Sequence, residues 1–297
     1  MNNKMQSGLA QLQPATSRCP HNCTFEPWLE EIEKCQTCGL GRTATMTRVA
    51  EHQDYSWDPG EVKSRVRSLE RFLFGRRGYL REMLFGRCGY LREMRSSSLL
   101  DVGCGEGLLL DAAETHGWRA HGIDSFDAHG TDPRITIGSF LEYQPEGLFD
   151  CICMLHSFEH MVDPALTLSK CATLLRSGGL LLICVPNFGG AWAKVTGANW
   201  PWLNVRDHCF HYTIEGLNLL LLQAGFEIER CDTSSAGSPS FAEVYASVHN
   251  AFEIWPVRVF PLRSIFYRGV HMMQVPSNAI LDSLNLGSQI IVSARQQ

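Results

Sequence analysis

Two short stretches of the chain combine histidine with acidic residues at spacings suited to acid–base chemistry. One reads His156-Ser-Phe-Glu-His160 and the other reads Asp207-His-Cys-Phe-His211. Histidine suits proton transfer because its unperturbed pKa lies near neutrality. We expect His160, His208 and Glu159 to be catalytic or to contact the substrate. Glu159 and His160 can form an orienting pair or help to hold a divalent ion; the alternative is that they only shape a corner of the chain.

A glycine-rich loop, Asp101-Val-Gly-Cys-Gly-Glu-Gly107, follows a short apolar segment. Glycines permit a sharp turn and let a ligand approach the backbone. The spacing fails the G-x-G-x-x-G pattern of dinucleotide sites, because the sixth position counted from Gly103 is Leu108. Asp101 sits poorly beside a pyrophosphate but well beside a cationic amino-acid group. Asp124, about twenty residues on, can accept both hydroxyls of a ribose.

Four of the twelve cysteines lie in the first forty residues, in Cys19-Pro-His-Asn-Cys23 and Cys35-Gln-Thr-Cys38. Four thiolates in this arrangement suit a tetrahedral structural zinc, and Gly39 after the second pair is usual for a zinc ribbon. The first pair has three intervening residues where two are usual. His21 is therefore an alternative ligand, and a ribbon that binds no metal is an alternative interpretation. A catalytic zinc is disfavoured because four protein ligands leave no open position.

Apolar strands alternate with helical stretches from residue 96 onward. This alternation predicts an α/β fold with a doubly wound, seven-stranded, mainly parallel sheet, preceded by the zinc-ribbon-like module. The predicted strands are Leu99–Val102, Trp118–Ile123, Arg134–Ile137, Phe149–Leu155, Gly179–Val185, Phe226–Arg230 and Gln289–Ser293. The predicted helices are Gly107–His116, Pro164–Arg176, Ile214–Ala224 and Phe241–Trp255, and Thr213 is the expected amino-terminal cap of the third.

The glycine loop is one of several motifs that occur in a recognisable order. It is followed by Gly122-Ile-Asp124, Phe149–His160, Leu175-Arg-Ser-Gly-Gly179 and Val185-Pro-Asn187. This series resembles that of class I S-adenosylmethionine-dependent methyltransferases, and within them the ubiquinone-biosynthesis-like small-molecule subgroup, over roughly residues 97–232. The resemblance implies a Rossmann-like fold, S-adenosylmethionine as methyl donor and a small-molecule acceptor with an oxygen or carbon nucleophile. Glu106 departs from the family, which commonly has a small hydroxyl residue there.

The resemblance also implies which residues surround the cofactor. The methionine part would be flanked by Asp101, Gly103, Cys104 and Gly105. The ribose would be held by Asp124, with Ser125 at the ribose–adenine edge. The adenine would be bordered by Ser139 and Phe140, and the sulfonium would lie above Leu155 and His156. Related methyltransferases often carry a ribbon in front of the catalytic domain, in agreement with metal ligands at Cys19, Cys23, Cys35 and Cys38. An aromatic loop with Phe188, Trp192, Trp200 and Trp202 can cover a planar acceptor, although such residues are as often plain packing.

These observations predict a division of the chain into four parts. They are a disordered leader (1–18), the zinc-ribbon-like module (19–50), a basic helical linker (51–95) and a methyltransferase domain (96–297) with its core at 97–232. The linker contains an 11-residue tandem duplication, 73–83 and 84–94, of which only the second copy is expected to occupy the usual place before the first strand. The segment 238–297 is expected to form a lid and the last strand.

Bulk properties limit the remaining alternatives. A net charge of −5 disfavours bulk binding of nucleic acid and so a DNA partner, although the basic linker and ribbon leave an RNA methyltransferase as a weaker alternative. A non-catalytic binding protein is a further alternative, against which the intact glycines and Asp124 argue. The Asn-Pro-Pro-Tyr type of motif for amine methylation is missing. No apolar stretch has the length of a membrane span, and residues 1–18 lack the apolar block of a secretory signal, so a cytoplasmic protein is expected.

Overall fold

The computed structural model describes residues 25–29, 31–44, 97–126, 132–200, 202–235 and 278–296, together with the single positions 67, 71 and 73. The strands of these segments form one seven-stranded and one four-stranded sheet. In chain order they are β1 (Phe25–Leu29), β2 (Ile32–Cys35), β3 (Gly41–Thr43), β4 (Ser98–Val102), β5 (Arg119–Asp124), β6 (Ile135–Ile137), β7 (Phe149–Leu155), β8 (Leu175–Pro186), β9 (Phe210–His211), β10 (Phe226–Ser234) and β11 (Gln289–Gln296).

The seven-stranded sheet has the order β10-β11-β8-β7-β4-β5-β6. The pairs of neighbouring strands from β8 to β6 are parallel, and β11 is antiparallel to both of its neighbours. The central strand β4 is buried along its whole length, as its apolar sequence predicts. The predicted α/β class and the mainly parallel seven-stranded sheet are therefore confirmed. The carboxyl ends of β4, β5 and β7 lie at one edge of this sheet.

Three of the described helices contact the seven-stranded sheet, and two helices begin at a residue whose side chain caps them. They are α1 (Leu108–Glu114), α2 (Pro164–Leu174), α3 (Ala191–Thr196) and α4 (Ile214–Gln223), with a further helical stretch at 278–283. Asp163 accepts the backbone N–H of Leu166 before α2, and Pro164 occupies the first turn, where it costs no hydrogen bond. Thr213 accepts the N–H of Gly216, so the predicted cap of α4 is confirmed.

Several helix and strand boundaries differ from the predictions, most clearly between α2 and β8 and at the ends of β10 and β11. The helix predicted to run to Arg176 ends at Leu174, and β8 begins at Leu175. Leu175 is buried and pairs with Phe149 in the sheet, while the Arg176 guanidinium donates to both carboxylate oxygens of Asp150 at 2.7 Å. These tertiary contacts outweigh a helical pattern that the local sequence supports equally well. Strands β10 and β11 both extend beyond their predicted ends because they pair with each other along eight residue pairs.

The second sheet joins the amino-terminal residues to the α/β core. Its order is β1-β2-β3-β9, and Gly41 and Arg42 of β3 pair with His211 and Phe210 of β9. Residues 25–44 of the predicted ribbon module therefore share a sheet with a strand that the sequence did not predict. Three of their buried side chains, Cys35, Cys38 and Leu40, belong to the same cluster as Phe210 and Tyr212. Ile32 is buried in a separate cluster with Phe188 and Trp200.

The tandem duplication is represented in the described residues by its first position alone. Leu73 is helical and fully buried, in a cluster with Leu99, Leu110 and Trp118. The first position of the first copy is thus buried in this cluster, and the expectation that the second copy precedes the first strand concerns residues outside those described. The predicted leader, Cys19 and Cys23, the rest of the linker and the predicted lid at 238–277 lie outside the described residues. Within the part of the chain that is described, no helix is long and apolar enough to cross a membrane.

Candidate active site

The glycine loop between β4 and α1 is held to the sheet by its backbone. The Gly103 N–H donates to the carbonyl of Ile123 at 2.8 Å, and Gly103 has a φ of 77°, a left-handed conformation that favours glycine. A Cβ at Gly103 would lie 2.5 Å from the Cβ of Ser157, which follows β7. Space and backbone conformation therefore both require glycine here. The loop and the end of β7 are in direct contact.

Gly105 differs from Gly103 in its surroundings. A Cβ placed on Gly105 meets no protein atom within 4 Å, and its φ is 50°. Its N–H donates to Oδ2 of Asp124 at 2.9 Å, and Oδ1 of the same carboxylate accepts the N–H of Phe126 at 3.1 Å. The loop and the end of β5 are thus tied together beside open space. The remaining lone pairs of a carboxylate with this geometry can accept hydroxyl groups.

Asp101 lies inside β4, directly before the loop, and is only 4% exposed. Its burial, together with the nearby charge of Asp124, raises the pKa of Asp101 to about 8. At neutral pH the group is therefore largely protonated in the protein alone. A cation placed beside it would favour the carboxylate form and so lower its pKa.

The other predicted cofactor residues divide into exposed and buried groups. The side chains of Ser125 and Ser139 are exposed, and Leu155 is half-buried at the end of β7. Phe140, in contrast, is 7% exposed and packs in the main hydrophobic cluster. Cys104 is buried against Gly122, where an added Cβ would lie 2.6 Å from its Sγ. The side chains of Phe140 and Cys104 thus face the core, which leaves the backbone as the part available to a ligand.

His156 follows β7 with a φ of 56°, a conformation unusual for any residue except glycine. Its N–H donates to the carbonyl of Cys184 at 2.8 Å, which holds the strained turn in place. The ring reaches two partners, with Nδ1 3.5 Å from Oε1 of Glu159 and Nε2 3.2 Å from Oε1 of Gln289. Burial acts to lower the pKa of His156, but its contacts with Cys184 and Glu159 outweigh that and raise it.

Glu159 is the buried centre of this group of histidines. Its side chain is 2% exposed, and Oε1 lies 4.0 Å from Nε2 of His208. Burial alone would raise the pKa of Glu159, but the hydrogen bond from His156 and the positive charge of that ring outweigh it and lower the pKa. Oε2 of Glu159 accepts no hydrogen bond from any described residue. A buried carboxylate oxygen of this kind is strongly attractive to a proton donor or a cation.

His160 and His208 lie next to each other on the other side of Glu159. Their ring centroids are 4.9 Å apart, at an edge-to-face angle of 77°. Nδ1 of His160 lies 3.0 Å from the carbonyl oxygen of Asp207 and must donate its proton to it, so that the lone pair of the neutral ring is on Nε2. Burial lowers the pKa of His208 to about 4, which keeps that ring neutral. The structure thus brings the predicted residues His160, His208 and Glu159 together.

The predicted aromatic loop reaches the same group. Trp202 lies edge-on to His156 with ring centroids 5.8 Å apart, and Trp200 is 6.4 Å from Trp202. Phe188 continues the row towards Trp28 of β1, at 6.5 Å from Trp200 and 4.9 Å from Trp28. This aromatic row therefore runs from the amino-terminal hairpin to the end of β7.

Two residues of the site were not predicted. Gln289 contacts His156, and Thr43 contacts both His208 and His211. For Gln289 a signal existed, since the first residue of an antiparallel strand lies at the edge where the parallel strands end. No sequence signal pointed to Thr43, because its position in the site depends on the pairing of β3 with β9.

The second predicted cysteine pair lies in the turn between β2 and β3. Sγ of Cys35 accepts the N–H groups of Thr37 and Cys38, both at 3.3 Å, and Gly39 follows with a φ of 71°. The carbonyl of Cys38 accepts the hydroxyl of Thr213 at 2.6 Å, so this turn also touches the start of α4.

The sequence that forms this loop, acidic strand end and histidine group is similar to a known protein family. The family described as a methyltransferase domain matches residues 73–230, which is more than half of the chain. The chain belongs to the methyltransferase domain family. It is an S-adenosylmethionine-dependent methyltransferase, as the glycine loop and the order of motifs predict.

Individual relatives agree with this family. The chain is 30% identical over 178 residues to the ubiquinone biosynthesis O-methyltransferase of Maricaulis maris, a match that covers 54% of this chain and 69% of that protein. It is 27% identical over 169 residues to the protein of the same name from Bradyrhizobium diazoefficiens, covering 51% of this chain and 66% of that one. The phosphoethanolamine N-methyltransferase 2 of Haemonchus contortus in complex with S-adenosyl-L-methionine has 17% identity and a TM-score of 0.45, covering 77% of this chain and 56% of that chain.

Proposed function

We propose that this methyltransferase transfers the methyl group to a hydroxyl oxygen of a small planar acceptor. The observation that carries the proposal is the buried carboxylate of Glu159 surrounded by His156, His160 and His208 at the end of β7. Methylation of a hydroxyl requires removal of its proton, and a histidine beside a carboxylate is suited to that step. The O-methyltransferase names of the relatives point in the same direction.

The cofactor would lie along the edge formed by the glycine loop and the ends of β5 and β7. Asp101 would face the cationic amino group, Gly103 and Gly105 would flank the methionine part with Cys104 contributing its backbone, and Asp124 would accept the ribose hydroxyls. The open space beside Gly105 supports this placement. Ser125 would lie at the ribose–adenine edge, Ser139 and the backbone of Phe140 beside the adenine, and Leu155 and the backbone of His156 under the sulfonium.

In the proposed reaction His160 is the general base. Nε2 of His160 takes the hydroxyl proton as the acceptor oxygen forms its bond to the methyl carbon, and the bond from that carbon to the sulfonium sulfur breaks. The Asp207 carbonyl holds the ring in the required tautomer, and the Glu159 carboxylate stabilises the imidazolium that forms. His208 is neutral because of its burial, and it would orient the acceptor or the Glu159 carboxylate.

The aromatic row favours a planar acceptor. Trp202 and His156 stand edge to face at the end of β7, whereas Trp200, 3% exposed, packs near Trp202 in the core and supports it. Aromatic side chains bind a planar ring through stacked or edge-on contacts while leaving its hydroxyl directed at the base. An aliphatic acceptor would make poorer use of this surface.

A divalent cation is the other partner that these residues would fit. The ligand atoms of Glu159, His160 and His208 all lie within 4.8 Å of one another, and carboxylate and imidazole are both usual ligands. A bound cation would hold the acceptor oxygen and lower the pKa of its hydroxyl. Treatment with a chelator separates the two cases. Activity that survives removal of all metal supports the histidine base, whereas activity restored only by added cation supports the metal.

The acceptor class is tested with matched pairs of compounds. The enzyme is incubated with S-adenosylmethionine labelled in the methyl group, together with planar ring compounds that carry a hydroxyl, an amine or an already methylated oxygen. We expect label to enter the hydroxyl compounds alone. Transfer to the amines but not to the hydroxyls would contradict the proposal, and so would transfer to ring carbon. Saturated analogues with the same hydroxyl show whether planarity matters.

We further propose that Cys35 and Cys38 bind a structural zinc together with Cys19 and Cys23. The turn of Cys35, with two N–H groups directed at its Sγ, is suited to a metal-bound thiolate. The metal would stiffen the hairpin that pairs with β9. Metal analysis of the purified full chain should give about one zinc per chain, lost on replacing Cys35 by serine. A folded, zinc-free wild-type protein would disprove this assignment.

A further inference from the structure

Thr43 is the last residue of β3 and is buried against the loop that carries the histidines. It is 2% exposed, and its N–H donates to the carbonyl of Cys209 at 3.0 Å. Its hydroxyl donates to the carbonyl of His208 at 2.7 Å. Two consecutive carbonyl groups of this loop are therefore bonded to one residue that lies 165 positions earlier in the chain.

The same hydroxyl contacts the ring of His211. Nε2 of His211 lies 3.1 Å from Oγ1 of Thr43. A hydroxyl has one proton, and that proton is donated to the carbonyl of His208, so the His211 ring must donate through Nε2–H. The His211 ring is 3% exposed, and with its Nε2–H donated to Oγ1 of Thr43 the neutral ring has its lone pair on Nδ1. The Thr43 hydroxyl thus fixes both the position of the His208 carbonyl and the tautomer of the His211 ring.

The bonded loop segment is the one that orients the proposed base. The Asp207 carbonyl accepts Nδ1–H of His160, and the Cys209 N–H donates to the carbonyl of Glu159 at 2.8 Å. Both residues are direct neighbours of His208, whose carbonyl Thr43 holds. A shift of residues 207–209 would therefore move the ring of His160 and the backbone of Glu159 together.

We propose that Thr43 is a positioning residue for methyl transfer, which acts by holding residues 207–209 against Glu159 and His160. This proposal rests on the proposed function in one respect, namely that the histidine group carries out the proton transfer. The strands β2 and β3 would then contribute to the geometry of the active site, in addition to any role in metal binding. Because misplacement of reacting groups by about 1 Å can cost 100-fold in rate, the hydroxyl is expected to affect turnover more than binding.

The test compares Thr43→Val with Thr43→Ser in the full chain. Valine keeps the shape but leaves the His208 carbonyl and the His211 N–H without the hydroxyl, and serine restores it. We expect kcat to fall about 10- to 100-fold in Thr43→Val with KM for S-adenosylmethionine within about twofold, and Thr43→Ser to recover kcat to within about threefold of wild type.

A matched control is Thr167→Val in α2. Thr167 is equally buried, and its hydroxyl likewise donates to a backbone carbonyl, that of Asp163, at 2.8 Å. It has the same expected loss of stability but no contact with the histidines, so kcat should stay within about twofold of wild type. If Thr167→Val lowers kcat as much as Thr43→Val does, the effect is general destabilisation and the positioning role is wrong.

The tautomer of His211 is a second measurement that needs no acceptor. Long-range proton–nitrogen correlation spectra of the wild-type protein should show His211 protonated on Nε2. In Thr43→Val the two tautomers should mix, and in Thr43→Ser the wild-type pattern should return. An unchanged tautomer in a folded Thr43→Val protein, or a kcat within twofold of wild type, would overturn the proposal. Failure of the proposed function instead shows as unchanged kcat in a His160 variant, whatever Thr43 does.

Discussion

The cofactor side and the histidine side of this active site are built in different ways. Most of the cofactor side comes from one strand–loop–helix–strand unit between Asp101 and Asp124, in which the glycine loop bonds directly to the end of β5. The histidine side is assembled from the end of β7, the loop before β9, the first residue of β11 and the last residue of β3. A local unit is encoded by turn residues and spacing, whereas an assembled group depends on the pairing of distant strands.

The two sides meet at one point. The hydroxyl of Ser157, beside His156, donates to the carbonyl of Val102 at 2.5 Å, and its Cβ occupies the space next to Gly103. Gly105 and Asp124 bond to each other and to Phe126, whereas His160 bonds to Asp207 and the carbonyl of His208 bonds to Thr43. We therefore expect substitutions on one side to change cofactor binding and substitutions on the other to change turnover, each with little effect on the other property.

The largest effect is expected from His160→Asn. The asparagine amide can still donate to the Asp207 carbonyl, as Nδ1 does now, but it has no group at the position of Nε2. Loss of a general base costs about 100- to 10,000-fold, so kcat should fall by that factor while the Kd for S-adenosylmethionine stays within about twofold. Single-turnover methyl transfer and calorimetry measure the two quantities.

The control for this change is His116→Asn. His116 is exposed after α1, away from Glu159, and its replacement should leave kcat and the Kd for the cofactor unchanged. A kcat for His160→Asn within about threefold of wild type would remove the general-base role of His160 and with it the proposed mechanism. A parallel loss of cofactor affinity would show that the two sides are not separable.

The opposite result is expected from Asp124→Ala. This change removes the acceptor proposed for the ribose hydroxyls and also frees the N–H of Gly105. A hydrogen bond to a charged group contributes about 1.5–3 kcal/mol, so the Kd for S-adenosylmethionine should rise about 10- to 100-fold. At saturating cofactor kcat should change little. Asp150→Ala is the matched control, because Asp150 lies at the start of β7, at the other edge of the sheet.

The difference between the two sides also explains what the sequence could predict. The glycine loop, Asp124 and the buried parallel strands were predictable because turn formers and apolar runs act locally. The grouping of His160, His208 and Glu159 was predicted from motif order, but its geometry was not. Strand β9, Thr43 and the early end of α2 at Leu174 escaped prediction, because they are determined by pairing with residues far away in the chain.

Two glycines of the same loop should respond differently to alanine. Gly103→Ala places a methyl group 2.5 Å from Ser157 at a φ of 77°, so it should destabilise the fold where the two sides meet. Gly105→Ala meets no protein atom within 4 Å, so the melting temperature should change only by the modest strain of its φ of 50°.

Cofactor affinity distinguishes the two variants. If the open space beside Gly105 is the cofactor site, Gly105→Ala should raise the Kd for S-adenosylmethionine about tenfold at nearly wild-type stability. Thermal unfolding with and without cofactor measures both properties. Wild-type affinity in Gly105→Ala would place the cofactor elsewhere. Wild-type stability in Gly103→Ala would contradict the tight contact between the loop and the end of β7.

The smallest expected effect is a dependence of cofactor binding on pH through Asp101. In the free enzyme, burial and the charge of Asp124 raise the pKa of Asp101 to about 8, so the carboxyl is mostly protonated at pH 7. A bound cationic amino group would lower that pKa, and binding would then release a proton. By linkage, the affinity for S-adenosylmethionine should rise with pH between about 6 and 7.5, by at most about tenfold per pH unit.

Calorimetry in buffers with different ionisation enthalpies should detect the release of up to one proton on cofactor binding. Asp101→Asn should abolish both the release and the slope. A flat affinity profile in the wild type would mean that Asp101 does not face the amino group, and the local unit would then bind the cofactor through its backbone and Asp124 alone.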